Sequence, residues 1–202
     1  DSGEVLLELA TSTQGGLFAL WKNGSITLLP AVGAARALNN RGHLAGALGA
    51  DAIAWLPGGV TLGRSGYLSA EAFALNDSDR IVGRALTQVG GPFEAVYWDD
   101  DGEPSPIPGM TEAHSVNRDG VIAGFSDEGP SVVMADTVLR LQSLISEDSP
   151  LDLTNVAAWI NDGGSVVCAA YDSDEDQQVG LVFVPDESPL VINDTRDLPD
   201  FD

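Results

Sequence analysis

Short apolar runs alternate with polar clusters along the chain, and one phrase keeps returning: ALNNRGHLAG at 37–46, ALNDSDRIVG at 74–83, SVNRDGVIAG at 115–124 and WINDGGSVVC at 159–168. In each, an apolar run meets an Asn, a polar turn follows, and a second apolar run begins. Runs of this length, bounded by Asn, Asp, Ser and Gly, predict β-strands joined by tight turns. Over residues 70–109 the predicted strands are EAFALN, RIVGRAL, FEAVYW and PSPIPG, with NDSD and DDDG as turns. Residues 35–63 follow the same plan as ARALN, HLAGAL, AIAWL and VTLG, and FALWKNGSITLL predicts a hairpin around its Asn-Gly. No helical period is sustained; TVLRLQSLISE (137–147) is the one stretch expected to make a helical turn or two.

Aligned on Asn39, Asn76, Asn117 and Asn161, the phrases lie 37, 41 and 44 residues apart. Ala35, Ala72, Ala113 and Ala157 stand four positions earlier, and Gly42, Asp79, Gly120 and Gly164 three positions later. The opening DSGEVLL fits the same frame through Gly3 and Val5-Leu6. Four-stranded units with a period of about 40 predict an all-β protein, a five-bladed β-propeller, with an open β-solenoid as the alternative. The expected units are 1–33, 34–69, 70–111, 112–153 and 154–192, forming one domain; 193–202 is an acidic tail or a ring-closing segment. The recurring Ala suits crowded inner strands. The Asn residues are expected to hold their turns by bonding their own backbone, and Gly42, Gly120 and Gly164 to supply a positive φ. The functional alternative makes the four Asn a ring of ligand contacts.

At these residues the sequence resembles the HAF repeat family of predicted extracellular proteins. Its units read as an Ala-x-x-Ile-Asn-x-x-Gly-x-Val-Val-Gly phrase followed by an Ala-Phe-Leu-Trp strand and a Gly-containing turn. The second half appears here as LFALWKNG (17–24), AIAWLPGG (52–59) and EAVYWDDDG (94–102), and the last two units have lost the Trp. The resemblance covers about 1–190. It implies an extracellular or cell-surface setting and brings no catalytic residues to carry over.

Charge narrows the partners. With 31 Asp+Glu against 9 Lys+Arg the formal net charge is -22, and Lys22 is the single lysine. Such a surface repels nucleic acid and anionic lipid. It suits an acidic secreted protein, a surface adapted to high salt, or loops that bind divalent cations. No apolar run reaches the ~20 residues of a membrane helix. The chain opens without a Met and is read as a piece of a longer precursor. Cys168 is the only cysteine, so no internal disulfide forms, and it is expected to be a buried, inert thiol.

A propeller glycosidase needs two facing carboxylates. The acids in or beside strands are Glu4, Glu8, Glu71, Glu94 and Glu112, read as sharing no repeat column. His43 and His114 stand in different columns with no neighbouring Cys or His, which argues against metal or triad chemistry. The best cation candidate is DSDEDQ (172–177), where Asp172, Asp174 and Asp176 alternate; it lacks the Gly and closing Glu of an EF-hand loop, and is read as a solvated loop rather than a calcium site. Trp21, Trp55 and Trp98 end corresponding strands and suit filling between blades better than a sugar-binding set. The expectation is a non-enzymatic module with no cofactor. Its expected partner is a protein or glycan at the cell surface, and it is expected to be part of a larger chain or assembly. A glycan-binding or glycoside-active propeller is the alternative.

Overall fold

A computed structural model describes residues 3–9, 17–28, 34–56, 60–99, 101–135, 137–153, 157–185 and 190–192. The segment 193–202, expected as tail or closing strand, lies outside them. The described residues form strands, turns and one 3-10 turn at Leu141–Leu144, inside the stretch where the sequence allowed a helical turn. The strands are arranged in five small antiparallel sheets.

Sheet 1 holds β1 (Val5–Leu9), β2 (Leu17–Lys22) and β3 (Ser25–Leu28), with β2 and β3 turning at Asn23 and Gly24, both at positive φ. Such a two-residue turn matches the twist of its strands. Sheet 2 is the meander β4 (Ala34–Leu38), β5 (Leu44–Leu48), β6 (Asp51–Trp55) and β7 (Val60–Thr61). Sheet 3 repeats it with β8 (Ser69–Leu75), β9 (Ile81–Leu86), β10 (Phe93–Trp98) and β11 (Pro104–Pro106). Sheet 4 has β12 (Glu112–Val116), β13 (Ile122–Ser126), β14 (Gly129–Met134) and β15 (Thr137–Arg140). Sheet 5 runs β17 (Ala158–Ile160), β18 (Val166–Asp172), β19 (Gln177–Phe183) and β20 (Leu190–Ile192), and β16 (Leu151–Asp152) also pairs with the far end of β18. By register β1 corresponds to the second strands: Val5 faces Trp21 as Leu44 faces Trp55 and Ile81 faces Trp98.

The chain divides into two compact units, Asp1–Pro108 with sheets 1 to 3 and Gly109–Asp202 with sheets 4 and 5. Within each, one stacking rule holds. In the first unit, Ala72, Ile81, Ala85, Val96 and Trp98 of sheet 3 form a core with Ala45, Ala52 and Ala54 of sheet 2. In the second, Val166, Cys168, Ala170, Leu181 and Phe183 of sheet 5 form one with Ala123 and Val132 of sheet 4. In both pairs the later sheet uses the face of Ile81 or Val166, and the earlier sheet uses the opposite one, the face of Ala45 or Ala123. Alternation along a strand makes this possible, since successive side chains point to opposite faces. Among the described residues, two apolar faces are exposed. In sheet 1 the face of Val5, Trp21, Ile26 and Leu28 is exposed, Val5 being 46% accessible where its counterpart Ile81 is 2%. In sheet 5 the face of Trp159, Val167 and Tyr171 is exposed, Val167 being 46% accessible where its counterpart Ala45 is 0%.

The first strands of sheets 2, 3 and 4 each carry a β-bulge. In β8, Ala72 pairs with Gly83 and Ala74 with Val82, so Phe73 is extra; Arg36 in β4 and His114 in β12 are extra in the same way. The bulge brings the strand against its neighbour. A Cβ on Gly46, Gly83 or Gly124 would stand 1.9, 1.9 and 2.1 Å from a backbone carbonyl oxygen of the bulged strand. Only glycine fits opposite a bulge here, although it costs a strand interior about 0.5–1 kcal/mol relative to Ala. Sheet 5 differs: β17 pairs without a register shift, and Ala158 faces Cys168 where its counterparts face glycine. The sequence column placed Ala157 beside Ala35, Ala72 and Ala113. Pairing gives that place to Ala158, because the missing bulge shifts the strand by one residue.

Candidate functional site

The four recurring turns share one hydrogen-bond pattern. Asn39, Asn76, Asn117 and Asn161 each donate their N–H to the carbonyl four residues on and accept one from the residue three on. Their side-chain oxygens also accept from the backbone four residues on, at 2.9–3.0 Å, in His43, Arg80, Val121 and Ser165. The first three Asn accept a further N–H two residues on. Asn39, Asn76 and Asn117 are buried, so this geometry satisfies polar groups that would otherwise be costly. At the third position Gly42, Gly120 and Gly164 take φ of 80°, 80° and 83°.

Asp79 takes that position in sheet 3 at φ 64°, a left-handed conformation strained for a side chain with a Cβ. Its carboxylate instead ties two turns together. It accepts from Asn39 Nδ2 at 2.8 Å and Arg41 Nη1 at 2.7 Å, and contacts His43 Nδ1 at 2.7 Å. Asn39 Nδ2 also donates to the Asn76 carbonyl, and the Asn40 N–H to Asp77 at 2.8 Å. The Asn40 side chain and N–H lower the pKa of Asp77, which is exposed. The turn of Asn117 reaches the turn of Asn161 likewise, through Arg118 N–H to Asp162 at 2.8 Å. Asn39, Asn76, His43 and Asp79 are thus part of a latch between turns, while the side-chain oxygens of Asn117 and Asn161 hold their own turns.

Four of the strand acids, Glu4, Glu71, Glu94 and Glu112, are separately engaged, and Glu8 is exposed. Glu4 is buried; one carboxylate oxygen bonds Lys22 and the other faces Gly42 with no partner among the described residues. Tyr67 donates to Glu94 at 3.1 Å; burial first, and this carboxylate second, push the Tyr67 pKa up. Glu71 and Glu112 correct the sequence reading. Both lie five residues before the turn Asn, on their bulged strands one residue before the alanine that faces glycine, and they pair with Arg84 and Phe125. They do share a column. Glu112 contacts His114 Nε2 at 3.1 Å, and the His114 ring lies 5.8 Å from the exposed Trp159.

Glu71 sits in a cluster of two arginines and two phenylalanines. Arg36 and Arg84 reach the same oxygen, Glu71 Oε2, at 3.5 and 3.3 Å. Both guanidinium groups also lie over the Phe73 ring, at 5.2 and 5.3 Å, and Arg84 lies 3.9 Å from the Phe93 centroid. Sequence reading missed this cluster because Arg36 and Phe73 look like ordinary strand positions. The signal that finds them is the pair of glycines, Gly46 and Gly83, that reveals the bulges.

The remaining candidates are dispersed. Asp172 caps its own loop, accepting from the Asp174 and Glu175 N–H groups, and Asp176 bonds the Tyr171 hydroxyl. No cluster of His, Cys, Asp and Glu suited to a metal occurs among the described residues. Trp98 is fully buried between sheets and donates to the Gly63 carbonyl at 2.9 Å, whereas Trp21 is exposed. Cys168 is buried, and burial pushes its pKa up to about 12, so it holds no reactive thiolate near neutrality. A groove of about 490 Å³ lies beside Ser126, Asp127, Glu128 and Arg140, where Arg140 and Glu128 neutralise each other. Among the described residues no helix is long and apolar enough to cross a membrane. The chain matches no family model, no curated protein and no solved structure.

Proposed function

We propose that the chain closes into a five-bladed β-propeller and works outside the cell as a non-enzymatic binding module or as a building block of a surface assembly. One observation carries the ring. Each unit stacks its sheets by the same rule of faces, and the rule leaves over one apolar face of each kind. The face of Val5 and Trp21 is of the kind that covers a preceding sheet, and the face of Val167 and Trp159 is of the kind that is covered. Exposed apolar faces of this sort mark contacts. The binding role draws on the resemblance to HAF repeats, on the engagement of Glu4, Glu71, Glu94 and Glu112 by basic or phenolic partners, and on loops rich in carboxylates.

The test is a short bismaleimide cross-link between Val5→Cys and Val167→Cys in a Cys168→Ala background. A cross-linked monomer is the expected product. Cross-linked dimers alone, or no product from folded protein, overturn the ring. A second reading, glycoside hydrolysis, is favoured by the in-register Glu71 and Glu112. Turnover on a glycoside panel that is abolished by Glu71→Gln or Glu112→Gln would establish it in place of the binding reading.

A further inference from the structure

Sheet 5 demonstrates that this fold makes a first strand with no bulge and no strand-interior glycine opposite it. Sheets 2 and 3 nonetheless keep both. What the bulges add is one residue each, and among the alanines of β4 and β8 those residues are Arg36 and Phe73. Bulges re-aim side chains, and they are over-represented beside functional sites. Here they deliver Arg36 and Phe73 to Arg84, Phe93 and Glu71. Two guanidinium groups meet a single carboxylate oxygen on an aromatic floor, in a chain of formal charge -22.

We propose that this cluster is a receptor for a small monocarboxylate with a ring or apolar body, and that Glu71 is its built-in competitor. A planar guanidinium fork matches a carboxylate and stacks on rings. The charge on the rest of the protein repels polyanions, so the favoured ligand is small and singly charged. Glu71 occupies the position of the ligand carboxylate. The half-exposed Arg36 guanidinium is the side from which an incoming anion displaces it. The inference rests on the binding-module reading and gives it a ligand class.

The experiment titrates the full chain with sodium benzoate at low ionic strength, following amide and guanidinium shifts by NMR, with benzamide as the uncharged control. Glu71→Gln, which keeps the shape and removes the competing charge, is expected to bind benzoate at least tenfold more tightly than the wild type. Adding Arg36→Gln or Arg84→Lys to that variant is expected to return the affinity to the wild-type level or below. Arg36 is the surface position, so its variant keeps the test valid if Arg84→Lys does not fold. Glu71→Gln binding benzoate no better than wild type, or binding that ignores both arginines or accepts benzamide equally, overturns the proposal. A failed titration with the Val5–Val167 cross-link intact removes this site alone. A failed cross-link with benzoate bound removes the ring and leaves the site.

Discussion

The first strands of sheet 3 and sheet 5 start from nearly the same phrase, ALNDSDRIVG and WINDGGSVVC, and end in different geometries. β8 is bulged and β17 is regular. The residue seven positions after the Asn separates them: Gly83 in one, Cys168 in the other. A bulged strand presses a carbonyl into the space a Cβ would occupy, whereas a regular strand leaves room for a thiol. A strand-interior glycine in this repeat is therefore a report on its partner strand.

The comparison breaks most visibly at Gly83. Gly83→Ala forces a Cβ onto the Glu71 carbonyl and is expected to cost about 3 kcal/mol in urea unfolding. Deleting Phe73 in the same chain removes the extra residue and makes β8 regular, and should recover the loss to within about 1 kcal/mol. If the deletion fails to rescue, glycine and bulge are not coupled. In sheet 5 the reverse change, Cys168→Gly, is expected to cost only about 1–2 kcal/mol, from lost burial and strand entropy.

The turns sharpen the same contrast. Asp79 holds a strained φ in exchange for its contacts with Asn39, Arg41 and His43. Asp79→Ala loses the contacts and keeps the strain, at an expected cost of about 2 kcal/mol. Asp79→Gly loses the contacts but relieves the strain, for about 1 kcal/mol. Equal losses in the two variants would show that strain plays no part.

Cys168 offers a pH reading of sheet 5. Its pKa is raised from 9.0 to about 12 by burial, so the unfolded chain releases this proton first. The contribution of the thiol to stability is complete below pH 9 and is lost as pH rises from there toward 12, with a slope of at most about 1.4 kcal/mol per pH unit. Wild type minus Cys168→Ala in alkaline unfolding isolates it, and a flat difference would mean the thiol is accessible.

The smallest expected effect separates the units by charge. Residues 1–108 carry twelve acidic and six basic side chains, and residues 109–202 carry nineteen and three. Screening shortens the reach of self-repulsion from a Debye length of ~30 Å at 0.01 M salt to ~3 Å at 1 M. The Tm is expected to rise by a few degrees over that range of KCl, with amide exchange slowing more in the second unit. A falling Tm would mean that ion pairs such as Arg41–Asp79 outweigh the repulsion.

The hydrophobic alternation and the turn residues are local properties, and they make the antiparallel strands and the repeating turns legible in the chain. The period of the Asn phrase marks out the sheets for the same reason: within each unit, sheets of like design bury their faces against one another. Tertiary structure decided what local pattern leaves open. A bulge adds one residue without changing composition, so the roles of Arg36, Phe73 and Ala158 emerge only from strand pairing, whereas the shared offset of Glu71 and Glu112 from the turn Asn is legible in the chain. Burial likewise separates Trp98 from Trp21, two residues that end matching strands. A side chain's fate depends on whether another sheet covers its face, and that is a fact about neighbours in space, not about neighbours in sequence.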